Sequence, residues 1–334
     1  MGLSLSALGR SKGVARPATA ATGGVKGVYV SVEDLVALEG AARDFAFRRK
    51  APVRRLLAGR HESRLRGRGL SFEELREYLP GDDVRTIDWR VTARTGKPFV
   101  RIYDEEKDRP ALVLVDQRIN MFFGSRLAMK SVAAAEAAAL CAWRVMNLGD
   151  RVGGFVFGDA AIDELKPERS REAVIGLASA IARRNGELSA ASEAVRTPGQ
   201  LDRALARALN VARHDHLVIL VSDFDGHGPE TRDMLLRLAA HNDVIAIIVY
   251  DPFLLELPEA GEMVASGGAL QAALPFGQAR VRTGIADFAQ RRGSELMSWQ
   301  QELGLPMLPI SAAEEVAPQL RRLLGQLAFP GRSR

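Results

Sequence analysis

Short apolar runs alternating with helical segments predict a three-layer α/β domain, with a doubly wound, mostly parallel sheet, preceded by a smaller helix-plus-strand region. Three observations carry this. Residues 111–115, 152–157, 216–221, 244–250 and 306–310 are brief and almost wholly apolar, as strands buried on both faces must be. Helix-length segments separate them, at about 126–147, 169–184, 198–213, 230–241 and 285–303, with a terminal helix at about 312–327. Such alternation makes right-handed strand–helix–strand units, whose helices cover both sheet faces. Finally, Asp116 and Asp223 sit just past the ends of apolar runs. In sheets of this kind the carboxyl ends of the strands carry the site.

The elements follow in chain order. Residues 1–26 mix Arg, Lys, Ser, Gly and Ala without a long apolar core, which reads as a flexible tail rather than a secretory signal. Ser31, followed by Glu33 and Asp34, marks a helix start by a capping hydroxyl and acids in the first turn, and the helix is expected over 32–47. Gly67 and Gly69 mark a loop, and residues 71–78 are short and mixed. Pro80-Gly81-Asp82-Asp83 is a turn, and residues 86–93 and 98–103 read as strands. The smaller region therefore spans 27–110 and the sheet domain 111–330. Gly153 and Gly154 lie inside a strand pattern, where they permit close packing rather than phosphate binding. Residues 251–280 carry several prolines and glycines and leave room for short edge strands.

Composition narrows the function. At 334 residues with 47% apolar and 26% charged side chains, the chain can bury a sizeable core. A single cysteine, Cys141, in an apolar helical run excludes an internal disulfide framework and reads as an inert buried thiol, which suits a reducing, cytoplasmic setting. No run approaches the roughly 18 apolar residues of a membrane span. The basic excess lies entirely in the first third: residues 1–110 hold 22 basic and 15 acidic side chains, residues 111–334 hold 24 and 26. It peaks at 48–68, where nine Lys and Arg face one acid, Glu62. Without interleaved aromatics for base stacking this stretch argues against nucleic acid and fits a solvated or protein-facing surface, or peripheral contact with an anionic membrane. His61, His214, His216, His227 and His241 show no metal-ligand spacing, and there is no phosphate-binding GxxxxGK[ST] loop.

Two stretches carry a family resemblance. Residues 69–89, from Gly69 through Arg76, Tyr78, Pro80-Gly81-Asp82-Asp83, Arg85 and Asp88-Trp89, continued to Arg94, resemble the hallmark of the domain of unknown function 58 family. Asp116 through Gly124, then a long helix and Gly149-Asp150-Arg151-Val152-Gly153, resemble it too. The resemblance implies a von Willebrand factor A-like fold. It also implies association with MoxR-type AAA+ ATPases, which are thought to assemble or activate other proteins, so the chain is expected to be a non-catalytic adaptor between such an ATPase and a client protein.

Domains of that fold can hold a divalent cation such as magnesium on an Asp-x-Ser-x-Ser loop, a Thr and a later Asp, with one position left for a partner's carboxylate. Here the first position is Asp116 and the later one Asp223, but the serine positions read Arg118 and Asn120, and the Thr position reads Gly199 with Thr197 nearby. A guanidinium has no lone pair for a metal and is always charged. Arg118 is therefore expected to pair with Asp116 or Asp223, in a site without a cation; were one bound, Asp116, Asn120 and Asp223 would hold it. The alternative is a metal-dependent hydrolase, or a metal-dependent adhesion-type module, on the Asp116/Asp223 pair. In the first motif Arg76, Tyr78, Asp82, Asp83, Arg85, Asp88, Trp89 and Arg94 read as a salt-bridged junction and a second contact surface, with Asp88 and Trp89 expected on opposite faces of a strand.

Overall fold

A computed structural model of the chain describes residues 26–44, 70–105, 110–189, 197, 199–260, 262–266, 271–275 and 277–327. The tail and the basic stretch at 48–68 lie outside them.

The domain is built on a six-stranded sheet. Its strands are β3 (Ala111–Asp116), β4 (Val152–Phe157), β5 (Ile162–Glu168), β6 (Leu217–Ser222), β7 (Asp243–Tyr250) and β10 (Met307–Ser311), in the order β10-β7-β6-β3-β4-β5. All neighbours are parallel except β5, which runs antiparallel to β4 at the edge. The doubly wound, mostly parallel sheet expected from the sequence is the one observed. Strand order reverses between β3 and β6, and such a switch point is where folds of this class open a crevice.

Side chains alternate between the two faces, as strand geometry requires. Val113, Val115, Ile219, Val221, Ile247 and Val249 face one layer, built from α3 (Lys130–Asn147), α4 (Arg171–Gly186) and α8 (Val316–Leu327). Leu112, Leu114, Phe155, Phe157, Val218, Leu220 and Ala246 face the other, built from α5 (Gln200–Val211), α6 (Pro229–His241) and α7 (Ala279–Leu303). The central helix α3 is alanine-rich because it is enclosed on nearly every side, and small side chains let its neighbours approach.

The segment before residue 44 packs into this domain. Helix α1 (Val32–Ala37) is capped by Ser31, whose hydroxyl accepts from the Asp34 amide. Leu35 is fully buried in the first layer, and its carbonyl accepts from Trp143 Nε1 at 2.9 Å. The helix expected over 32–47 is shorter: it ends at Ala37, and a 3-10 turn follows at Ala41–Asp44 beyond Gly40, a poor helix former.

The charged motif folds differently from the sequence expectation. Residues 71–77 belong to a strand, β1 (Leu70–Glu77), which ends just before Tyr78 and pairs antiparallel with β2 (Phe99–Glu105). The strand expected over 86–93 is instead a 3-10 turn, Val84–Thr86, and a short helix, α2 (Trp89–Thr95). Capping decides it. The Asp83 carboxylate accepts from the Arg85 amide, and that of Asp88 from the Arg90 and Val91 amides at 3.0 and 3.2 Å. Gly96, at φ 72°, stops the helix in a left-handed conformation. Asp88 and Trp89 are therefore cap and first helical residue, not opposite faces of a strand. Further on, β8 (Glu262–Ser266) and β9 (Gln271–Pro275) pair with each other as a separate hairpin rather than as edge strands of the main sheet. No helix among the described residues is long and apolar enough to cross a membrane.

Gly153 and Gly154 act as the packing residues the sequence suggests. A Cβ on Gly153 would stand 2.5 Å from the Leu165 carbonyl oxygen, and one on Gly154 would stand 1.9 Å from that of Val113. Both neighbours are backbone, so neither side can yield. Gly154→Ala should therefore destabilise the fold by about 3 kcal/mol or more. Urea unfolding followed by circular dichroism checks this, and an unchanged midpoint would contradict the packing.

Candidate functional site

The switch point places two carboxylates side by side at the strand crest. Asp116 is the last residue of β3, and Asp223 follows the last residue of β6. Asp116 is wholly buried, and Arg118 is 1% exposed on top of it. Arg118 Nε and its own backbone N–H donate to Asp116 Oδ1, both at 3.0 Å. Arg118 Nη2 and Ser222 Oγ donate to Oδ2, both at 2.6 Å. A carboxylate has about four lone-pair sites, and these four donors fill them. Burial alone would lower the Arg118 pKa, but the Asp116 carboxylate outweighs it and raises the value. Arg118 Nη1 donates to the Asp225 carbonyl at 3.1 Å, which ties the loop after β3 to the loop after β6. The guanidinium also lies 5.7 Å from the Phe157 ring centre, within cation–π range.

Asp223 has its own cations. Its Oδ1 accepts from Asn120 Nδ2 and from the Asp225 amide, both at 2.8 Å, and its Oδ2 from Lys130 Nζ at 2.5 Å. Burial pushes this carboxyl up, but Lys130 and Arg292 more than offset it and leave the pKa at about 2. Arg292, from α7, donates to the Asp223 carbonyl at 2.9 Å and to Asp225 Oδ1 at 3.3 Å. Phe224, between the two acids, is buried and held at φ 59°, a strained conformation for an aromatic residue, with its ring edge-on to Trp299 of α7. The donor set is thus an internal ion-pair network, and with Asp116 filled and Arg118 able only to donate, it does not fit a divalent cation.

Sequence reasoning identified Asp116, Arg118, Asn120 and Asp223, and the structure brings all four together. It missed Lys130, Arg292, Ser222 and a further acid, Asp159. Asp159 follows β4 by two residues and accepts from the Ile119 amide at 2.7 Å and the Thr197 amide at 2.8 Å. It thereby draws Thr197 to the crest. Gly199, at the expected threonine position, precedes α5 as its cap without a side-chain bond. Asp251, just past β7, similarly accepts from the amide and hydroxyl of Ser125 at 2.8 and 2.6 Å. The signal that marked Asp116 and Asp223, an acid just past an apolar run, holds for Asp159 and Asp251 as well.

The charged motif forms a separate arrangement. Arg76 grips Asp82 with two bonds of 2.8 Å, and Asp82 also accepts from the Leu79 amide. Asp83 and Asp88 are caps, so the three carboxylates are spent on three different local tasks. Tyr78 is half-buried, and Arg85 and Arg94 are exposed. Cys141 is buried in α3, and burial pushes its thiol up to about 12.

The family model for the protein of unknown function DUF58 matches residues 74–295, which takes in the motif from Glu74 onward, Asp116, Asp223 and Arg292. The chain belongs to the DUF58 family. It is 30% identical over 234 residues to the uncharacterized proteins Rv1480 of Mycobacterium tuberculosis and Mb1516 of Mycobacterium bovis, covering 68% of this chain and 69% of each relative. Among solved structures it is similar to BatB from Bacteroides thetaiotaomicron, at 11% identity and a TM-score of 0.39, over 66% of this chain and 98% of that one. It is also similar to the SpRpn10 VWA domain, at 12% identity and a TM-score of 0.34, over 66% and 95%.

In this DUF58 chain the crest network has two measurable consequences. Arg118→Met leaves a wholly buried carboxylate uncompensated and should cost about 3–5 kcal/mol in chemical denaturation. Adding Asp116→Asn to Arg118→Met should recover part of that loss, because the two residues form one unit. Additive effects of the two changes would show that the pair is not coupled. The second consequence concerns acid. The Asp223 pKa is lowered on folding, from 3.8 to about 2, so its contribution is fully present above pH 4 and is lost as pH falls towards 2. Asp223→Asn should therefore be less stable than the wild type at neutral pH, by on the order of 2 kcal/mol, with a gap that narrows between pH 4 and pH 2. Denaturation curves across that range measure it, and a gap that widens in acid would reverse the assignment.

Proposed function

We propose that this chain is a non-catalytic interaction module that docks a partner protein at the strand crest without a divalent ion. In this reading it is a cytoplasmic adaptor that works with a MoxR-type AAA+ ATPase in the assembly, activation or remodelling of a client protein. The ATPase and client come from the family resemblance; the mode of docking comes from the site. The observation that carries it is the closure of the Asp116 carboxylate by Arg118 and Ser222. A partner then meets a preformed surface, with Asn120, Lys130 and Arg292 partly accessible around Asp223, instead of completing a metal's coordination shell.

The same chemistry supports a non-catalytic role. A carboxylate with a pKa near 2, held by a lysine and an arginine, is a poor proton acceptor at neutral pH. Asp116 has no lone-pair site left for a substrate proton. The Cys141 thiol, at about 12 and fully buried, is not a nucleophile.

The test uses the purified chain and a MoxR-type ATPase from the same genome. Binding measured by biolayer interferometry without nucleotide should be equally tight in EDTA and in magnesium. Titration of the free chain with magnesium or manganese should give no saturable heat. Binding that requires a divalent ion, or a metal isotherm abolished by Asp116→Ala, would replace this reading with the metal-dependent one. Failure to bind the ATPase under either condition would remove the proposed partner.

A further inference from the structure

The second surface lies on the charged motif. Tyr78 donates its amide to the Pro98 carbonyl and Asp88 to that of Phe99, so the turn after β1 and the start of α2 leave from the same end of the hairpin. Trp89 is 68% exposed there, and Val84 at 57% and Leu79 at 48% are open on the same stretch between β1 and β2. The other two tryptophans, Trp143 and Trp299, are buried. A tryptophan left this open stands out from the rest of the chain and has the chemistry of an interface anchor.

The charges around it do not cancel. Between Leu75 and Lys97 the acids are Glu77, Asp82, Asp83 and Asp88. Glu77 pairs with Lys97 at 3.0 Å, and Asp82 with Arg76 at 2.8 Å. Asp83 and Asp88 direct their carboxylates at backbone amides, and Asp88 is buried. Arg85, Arg90 and Arg94 are exposed, and among the described residues none has a carboxylate partner. Arg90 and Arg94 are one helical turn apart and so share a face of α2.

We propose that this face binds an acidic protein segment, with an aromatic or leucine side chain seated against Trp89, Val84 and Leu79 and its carboxylates on Arg85, Arg90 and Arg94. Arginine clusters recognise acidic motifs by paired hydrogen bonds, and tryptophan and arginine dominate the energetics of many interfaces. Charge rules against the chain's own residues 48–68 as the occupant, because nine basic side chains against Glu62 would meet three arginines. A single open tryptophan, with exposed aliphatic side chains on the same stretch of chain, suits a protein side chain better than a run of stacked bases. The inference rests on reading the chain as an interaction module, but it concerns a different face from the crest.

The experiment selects a displayed library of random 12-residue peptides on the full chain. Enriched peptides should be net negative and carry a Trp, Phe or Leu. A synthetic peptide from the selection should shift Trp89 emission to the blue, and its binding should weaken with salt. Affinity should fall about 30-fold in Trp89→Ala and again in Arg90→Glu/Arg94→Glu, with thermal melts unchanged because these side chains are exposed. Neutral or basic peptides, equal binding to Trp89→Ala, or no enrichment at all would overturn the proposal. So would a Trp89 shift seen only with phosphatidylserine vesicles or with an RNA oligonucleotide. No ATPase is used and the crest is intact throughout, so a chain that binds the ATPase yet selects no acidic peptide loses this inference alone.

Discussion

The crest is organised by one buried charge. Asp116 ends the central strand inside the protein, where an uncompensated carboxylate is prohibitively costly. Something must supply positive charge within a few ångströms, and Arg118 does so from two residues away. Because a guanidinium is planar and donates in fixed directions, it does more than neutralise. It grips both oxygens of Asp116 and sends its remaining arm to the Asp225 carbonyl, so the loops after β3 and β6 have one arrangement that satisfies it. Buried ion pairs seldom add net stability over apolar residues of similar size; what this pair adds is a defined geometry at the switch point. The crevice that this topology would open is filled by the protein's own cation.

The remaining strand-end aspartates extend that logic. Asp159 and Asp251 accept from backbone amides of neighbouring loops, and Asp223 accepts from a lysine, an asparagine and an amide. Each carboxylate fixes a loop rather than facing a ligand alone. Helix α7 closes the arrangement, with Arg292 on the Asp223 carbonyl and Trp299 against the strained Phe224. A residue kept in a sparsely populated conformation needs surroundings that over-determine it. The crest has them, and a rigid surface loses little conformational freedom when a partner docks.

Legibility in the sequence followed burial. The five strands β3, β4, β6, β7 and β10 were plain because burial on both faces makes them continuous apolar runs. Strands β1 and β5 were hidden because each carries charged residues along its length: Glu73, Glu74 and Arg76 in one, Asp163, Glu164 and Lys166 in the other. Residues 86–93 alternate well enough to mimic a strand, yet two aspartate caps outweigh that pattern locally. At the site, the acids at strand ends could be read from position alone, and Arg118 from its place in a familiar loop. Lys130 and Arg292 could not, since they reach Asp223 across 93 and 69 residues of chain and nothing local marks them.

The two proposed surfaces differ in what would drive association. At the crest, Lys130 and Arg292 face Asp223 and Asp225, so cation and anion largely cancel and little long-range field remains. On the proposed reading, recognition there comes from shape and hydrogen bonds, which salt hardly screens. Around Trp89, Asp82 pairs with Arg76, Glu77 pairs with Lys97, and Asp83 and Asp88 cap backbone amides, while Arg85, Arg90 and Arg94 stay exposed, so the field of those arginines reaches into solvent and fades with ionic strength. A contact of the second kind speeds and steers encounter, whereas one of the first kind sets how long a correctly oriented complex lasts.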